Sequence, residues 1–154
     1  VTLPQLARVC DVLYIGGTKV GALFGEAVVV CNATLSIPRA LIKQHGAMLA
    51  KGWLLGLQFD TLFSNDLYFT IARNAIVKAM RLRDRLTAKG YQLKGNSPTN
   101  QQFFVIPNSR IELLRCHVGF EVWGPADNEH TVCRFVTSWA TTDEEMNLLS
   151  GVEI

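Results

Sequence analysis

The chain has 154 residues, of which 49% are hydrophobic and 18% are charged. This balance is typical of a globular domain and excludes a disordered chain. The net charge of +2 comes from dispersed lysines and arginines, which favours neither a nucleic-acid surface nor a polybasic membrane anchor.

Two short apolar runs, VLYI at 12–15 and AVVVC at 27–31, predict a pair of strands near the start of the chain. Neither run alternates with polar residues, which is typical of strands covered on both faces of an α/β sheet. A glycine-rich turn joins them, with Gly16, Gly17, Gly21 and Gly25. The chain starts at Val1 and enters this pattern almost at once, so we expect a fragment or a processed piece.

Two helices are predicted after these strands. The first covers about 39–63 and is apolar on nearly all sides, which is typical of a helix buried against another layer or subunit. Glycines within it allow a break or kink. The second begins near Ser64 or Asn65 and continues to about Lys89, where Gly90 is a stop signal.

The last third of the chain predicts strands and a closing helix. FFVI at 103–106 and VCRFV at 132–136 have the composition of strands, and EVW at 121–123 is a weaker third. Thr142 and Glu145 have the spacing of a capping box that opens a terminal helix.

The order of these elements predicts an α/β chain with two parts that meet near residue 36. Residues 1–36 are expected to be the end of a larger sheet that carries the glycine-rich turn. Residues 37–154 are expected to form linking helices and a small C-terminal α+β domain.

The cysteines give no sign of a metal or redox centre. All four stand far apart, without a Cys-x-x-Cys pair or a histidine at ligand spacing, which argues against zinc. Three lie in apolar runs and are expected to be buried, reduced thiols. Because no apolar run approaches the ~20 residues that span a bilayer, a cytoplasmic protein without a membrane segment is expected.

Lys19 is the candidate catalytic residue, in the segment GGTKVGALFGEA, with no other charge between residues 12 and 25. Apolar, crowded surroundings disfavour the charged form of a lysine and make its amine a nucleophile toward aldehydes. Schiff-base chemistry is the functional interpretation, and a solvated loop lysine is the alternative. A phosphate-binding P-loop is disfavoured, because Thr18 precedes the lysine and Val20 follows it.

Arg134 is the second candidate, because it shares a predicted strand face with Val132 and Val136. A guanidinium in apolar company requires a partner, and its planar fork suits a carboxylate. The carboxylate of an amino-acid substrate is one such partner. A structural ion pair with Asp143 or Glu144 is the other.

Three segments carry a resemblance to a known family: DVLYIGGTKVGALFGEAVVV, LIKQHGAMLAKGWLLGLQF and RFVTSWATTDEE. In this order they resemble the C-terminal part of pyridoxal-phosphate (PLP)-dependent lyases of the threonine aldolase and aromatic amino acid β-eliminating lyase family. The resemblance implies an aspartate aminotransferase-like fold, in which residues 1–36 end the sheet of the large PLP-dependent transferase domain.

The resemblance also implies roles for three side chains. Lys19 would hold PLP, and Arg134 would hold the α-carboxylate of the substrate. Thr18 would bond the cofactor phosphate, although a role in stabilising the turn is an equal alternative. Many relatives have asparagine where Val20 stands, so a polar role is not expected at that position.

The implied activity is cleavage of a β-hydroxy amino acid to glycine and an aldehyde, with β-elimination as the second choice. A non-catalytic subunit-contact fragment, built on the apolar helix around Trp53, is the alternative from another class. The implied partners are a small amino-acid substrate and further subunits in a homodimer or homotetramer. These residues alone are expected to have little activity, because the family's carboxylate beside the cofactor ring nitrogen is not among them.

Overall fold

The structure is a computed structural model that describes the backbone of residues 1–151 and the side chains of residues 1–147. It is a mixed α/β chain, which confirms the predicted fold class, and it divides into two compact units, Val1–Tyr68 and Phe69–Ile154. The predicted division near residue 36 concerns the domains of a complete enzyme and stays a prediction. Within the described residues, no helix combines the length and the apolar character needed to cross a membrane.

The first unit contains a β-ribbon and three helices. Its elements are α1 (Leu3–Ala7), β1 (Val12–Gly16), β2 (Glu26–Val30), α2 (Arg39–Gln44) and α3 (Trp53–Phe63). Strands β1 and β2 are antiparallel, with Val12 opposite Val30 and Gly16 opposite Glu26. The residues between them form a short 3-10 turn and the loop that follows it.

The two strands are less covered than the sequence predicts. Ile15 is buried, whereas Tyr14 and Val28 are 72% and 50% exposed. In the described part of the chain, β1 and β2 pair only with each other. A two-stranded ribbon has little neighbouring surface, so the expectation of strands buried on both faces is wrong for this chain by itself.

The long apolar helix is broken into α2 and α3, as its glycines allow. Gly46 has a φ of 74°, a left-handed conformation that ends a helix readily because glycine has no Cβ. Its neighbour His45 closes α2 with a backbone hydrogen bond to the carbonyl of Leu41. Trp53 and Leu57 on α3 are exposed, so the predicted burial of this helix is also wrong for the isolated chain.

The second unit is a four-stranded antiparallel sheet with helices. Helix α4 (Leu67–Ala88) begins with the last two residues of the first unit and lies otherwise in the second. The remaining elements are β3 (Gln92–Leu93), β4 (Gln101–Pro107), α5 (Ile111–Arg115), β5 (Glu121–Pro125), β6 (His130–Val136) and α6 (Asp143–Gly151). The strand order is β3-β4-β6-β5. All three strands predicted from the sequence are therefore confirmed.

The core of this unit lies on one face of the sheet. Alternate residues of β4 are buried, as the two-residue period of a strand requires. They join side chains from α4, α5, β6 and α6 in one cluster, which consists of Leu82, Leu86, Phe104, Ile106, Leu114, Cys133, Phe135 and Met146. Of the four cysteines only Cys133 is buried; Cys116 is exposed, and Cys10 and Cys31 are partly exposed, so the expectation of three buried thiols is wrong.

The predicted ends of two helices are confirmed by their hydrogen bonds. Gly90 has a φ of 90° after α4, and the Tyr91 amide donates to the Leu86 carbonyl at 3.1 Å. At the start of α6, the Thr142 amide donates to the Glu145 carboxylate at 2.8 Å, and the Glu145 amide donates to the Thr142 hydroxyl at 3.1 Å. These reciprocal bonds are the predicted capping box.

Candidate functional site

Lys19 lies on a 3-10 turn, Thr18–Val20, that follows β1 directly. The amides of Val20 and Ala22 both donate to the Gly17 carbonyl at 3.0 Å, and Gly21 adopts a left-handed φ of 97°. These bonds close a tight turn that contains the lysine. Its backbone position is therefore fixed by the turn.

The side chain of Lys19 is exposed, which corrects the expectation of crowded apolar surroundings. Val20, the next residue, is buried instead. A 3-10 helix has three residues per turn, so successive side chains point in directions about 120° apart. The apolar neighbour packs inward, and the lysine turns outward.

Thr18 and Lys19 are adjacent on this turn, and both side chains are exposed. Neither side chain forms a hydrogen bond or an ion pair with another group among residues 1–147, whereas the Thr18 carbonyl accepts from the Gly21 amide at 3.5 Å. An exposed amine and an exposed hydroxyl on adjacent residues of one turn are groups that bind an aldehyde and a phosphate, respectively. The chemistry implied by the family resemblance is therefore compatible with the turn.

Gly17 allows the turn to pack against α3. A Cβ added at this position would lie 2.5 Å from the Ala22 Cβ and 3.1 Å from Cζ of Phe59. Real Cβ atoms do not approach other atoms to 2.5 Å, so any larger residue would displace the turn. Gly17 is buried, and the requirement for glycine here is steric.

Tyr68 holds the start of the turn. Its hydroxyl donates to the Gly16 carbonyl at 2.9 Å, and its ring is stacked on Phe63 with 5.0 Å between the centroids. Burial raises the pKa of the Tyr68 hydroxyl above its usual value, so the group remains a donor at neutral pH. Tyr68 could not be assigned to this turn from the sequence, because 52 residues separate it from Gly16.

Gln58 holds the loop after the turn. Its side-chain carbonyl accepts a hydrogen bond from the Leu23 amide at 2.7 Å, and its side-chain nitrogen donates to the Phe24 carbonyl at 3.2 Å. Gln58 was also missed, because the helical pattern of α3 gives no signal for a contact with residues 34 and 35 positions earlier.

Arg134 lies in β6, in the second unit, between neighbouring strands. In the sheet register it is opposite Phe103 of β4 and Glu121 of β5. Its guanidinium is ion-paired with Glu121, donates to the Gln101 side-chain oxygen at 3.1 Å and stacks over Trp123 at 4.8 Å. These three contacts fix the position of the Arg134 guanidinium.

The structural ion pair predicted for Arg134 exists, but with a different partner. Glu121 provides the carboxylate, whereas Asp143 forms an ion pair with Arg81 at 2.6 Å. Side chains alternate between the two faces of a strand. The neighbours Cys133 and Phe135 enter the core, so Arg134 points to the opposite face, where Glu121 is directly opposed.

The guanidinium of Arg134 still has unused hydrogen-bonding capacity. Its side chain is 21% exposed, yet the Nε atom is buried and has no hydrogen-bond partner among the described residues. A buried N–H without an acceptor is unfavourable by ~1–3 kcal/mol. A carboxylate ligand would bind at the exposed part of the side chain, so the site is compatible with the predicted role as well as with the structural one.

Comparison with known proteins identifies a similar fold. No protein-family model matches the sequence, and no curated protein matches it. A solved structure of threonine aldolase from Leishmania major is 38% identical, with a TM-score of 0.89, over 97% of this chain and 44% of that chain. The chain therefore has a threonine aldolase-like fold, and it spans less than half the length of that protein.

Proposed function

We propose that these residues form the C-terminal part of a PLP-dependent carbon–carbon lyase of the threonine aldolase type. Its reaction would be cleavage of a β-hydroxy amino acid to glycine and an aldehyde. The observation that supports this most directly is the Lys19 turn, whose lysine amine is exposed and unpaired among the described residues. The turn lies within a chain that has a threonine aldolase-like fold.

Lys19 and Thr18 would bind the cofactor. PLP, when bound, supplies an electron sink for cleavage of a bond beside the substrate α-carbon. The Lys19 amine would bond to the cofactor aldehyde. The Thr18 hydroxyl, on the preceding residue, would donate a hydrogen bond to the cofactor phosphate.

Arg134 would bind the α-carboxylate of the substrate. A guanidinium forms two parallel, charge-assisted hydrogen bonds with a carboxylate, which fixes the orientation of the ligand as well as its affinity. Stacking on Trp123 and the bond to Gln101 hold the plane of the guanidinium. A held arginine loses little further entropy when the substrate binds.

We expect these 154 residues alone to turn over little or no substrate. The family resemblance places the carboxylate partner of the cofactor ring nitrogen outside them. Without such a partner the ring is a weaker electron sink. Clear turnover by the isolated 154-residue chain would refute this part of the proposal.

We further propose that the complete enzyme is a homodimer or homotetramer. Trp53 and Leu57 are adjacent on α3 and are 63% and 52% exposed, and contiguous apolar surface of this kind is typical of subunit contacts. Sedimentation of the complete enzyme tests this point, since a monomer at micromolar concentration would contradict it. A chain that self-associates but binds no PLP would favour the non-catalytic alternative.

The test of the reaction is product analysis. The complete enzyme is incubated with threonine, with and without PLP, and the products are separated. Glycine and an aldehyde in equal amounts, formed only with PLP, are the expected result. A keto acid and ammonia would instead favour β-elimination, and the absence of any product would contradict the lyase proposal.

A further inference from the structure

One face of α3 supports the loop that carries Lys19. Leu55, Gln58 and Phe59 are separated by three and four positions, so they lie on one face of the helix. Gly25 approaches Leu55 so closely that a Cβ on the glycine would be 2.3 Å from the leucine Cδ2, and a Cβ on Gly17 would be 3.1 Å from Phe59. The loop is thus packed against this face at both of its ends.

Gln58 is the one polar member of this face and supplies its directional contacts. Apolar packing against Leu55 and Phe59 is non-directional and permits small sliding movements. Hydrogen bonds to an adjacent amide and carbonyl specify both position and orientation. Gln58 makes such bonds to Leu23 and Phe24, at 2.7 Å and 3.2 Å.

One residue, Ala22, connects the segment that Gln58 binds to the turn that contains Lys19. Leu23 follows Ala22, whose amide donates to the Gly17 carbonyl at 3.0 Å and closes the turn that contains Lys19. If the Gln58 contacts are lost, the loop keeps its apolar packing at Gly17 and Gly25 and the bond from the Ala22 amide, but no side-chain hydrogen bond that fixes its orientation. The lysine amine then samples a wider range of positions.

We propose that Gln58 is a positioning residue for Lys19, and that its side-chain amide fixes the lysine turn for reaction with the cofactor aldehyde. The inference rests on the proposed function, since it assigns to Gln58 the orientation of the lysine that function requires. A small misplacement of a reacting group lowers rates by as much as ~100-fold. The expected effect of losing both hydrogen bonds is a reduction of about 10- to 100-fold in the rate of cofactor attachment.

The experiment measures the attachment of PLP to the apo form of the complete enzyme. Samples are quenched with borohydride at successive times, and peptide mapping gives the rate at which Lys19 becomes labelled. Gln58→Met removes both hydrogen bonds at nearly constant size, and Gln58→Glu keeps only the acceptor for Leu23. The matched control is Gln92→Met, which changes an exposed glutamine of β3.

A second control separates positioning from general destabilisation. Ile106→Val removes one methyl group from the core of the other unit, which lowers stability by ~0.5–1.5 kcal/mol. We expect Gln58→Met to slow labelling of Lys19, Gln58→Glu to have an intermediate effect, and both controls to react like the wild type. Equal slowing in Ile106→Val would overturn the inference.

The labelling of wild-type Lys19 distinguishes a failure of the positioning role from a failure of the proposed function. If wild-type Lys19 is labelled and Gln58→Met is labelled at the same rate, the positioning role is wrong and the proposed function stands. If wild-type Lys19 is not labelled at all, the proposed function fails, and this inference fails with it.

Discussion

Glu121 and Arg134 are directly opposed on neighbouring strands β5 and β6, and their side chains form an ion pair. This relationship gives Arg134 a structural role that would exist without any substrate. The structural role and the proposed substrate role can be separated by two substitutions.

We predict that Arg134→Lys raises the KM of the complete enzyme for its amino-acid substrate by about 10- to 100-fold, because lysine cannot form the paired hydrogen bonds of a guanidinium. Glu121→Gln removes the ion pair and leaves the guanidinium, so KM should change much less. Steady-state kinetics of both variants provide the test. An unchanged KM in Arg134→Lys would show that the residue does not bind the substrate carboxylate.

Gly17→Ala is predicted to destabilise the protein by ~1–3 kcal/mol, because the added Cβ meets Ala22 and Phe59 and overpacks the turn. Gly56→Ala is the matched control. Its Cβ enters open space within α3, so we expect it to stabilise the protein by ~0.5–1 kcal/mol. Urea unfolding of the two variants measures both effects, and equal stabilities would contradict the steric role of Gly17.

The loop between β5 and β6 should become less stable in acid. The pKa of the Asp127 carboxyl lies below its usual 3.8. The main cause is a hydrogen bond from His130, and the second is a hydrogen bond from the Glu129 amide. A lowered folded-state pKa gives stability that is fully present above the usual value and is lost as the pH falls through the folded-state value. This stabilisation should therefore disappear below pH 3.8.

Thermal unfolding of Asp127→Asn and of the wild type, from pH 6 to pH 2, tests this prediction. Asparagine at this position does not titrate, so the difference in Tm between the two proteins should shrink as the pH falls. A difference that is constant over the whole range would show that the contacts of Asp127 are not linked to its charge.

Cys133 should be the least reactive of the four thiols. It is fully buried among Phe104, Phe135 and Met146, and burial raises the pKa of its thiol. Since the thiolate is the reactive form, we expect Cys133 to react with iodoacetamide at least about tenfold more slowly than the exposed Cys116. Peptide mapping after brief alkylation measures the ratio, and equal labelling in the native state would contradict the burial.

Elements with a strong local signal could be predicted from the sequence. The period of β4, the Thr142–Glu145 capping box and the glycine stop at residue 90 each depend on residues within a few positions of one another. All three are present in the structure. The positions of Lys19 and Arg134, on a turn and on a strand, could be predicted for the same reason.

Contacts between distant residues could not be predicted. Glu121 is the partner of Arg134 because of the strand register, which a single sequence does not reveal. Gln58 of α3 and Tyr68 of α4 bond to residues on either side of the lysine turn, across 34 to 52 residues. The exposure of β1 and β2 was mispredicted. An apolar run shows that a strand can be buried, but it does not show whether other elements are present to cover the strand.

The most direct test of the account is the identity of the lysine that binds PLP in the complete enzyme. Borohydride reduction followed by peptide mapping locates the attached cofactor, and the same preparation is assayed for glycine formed from threonine. We predict attachment at Lys19, with loss of both attachment and activity in Lys19→Ala and retention of both in the control Lys94→Ala. Attachment at another lysine, or full activity in Lys19→Ala, would contradict the central claim.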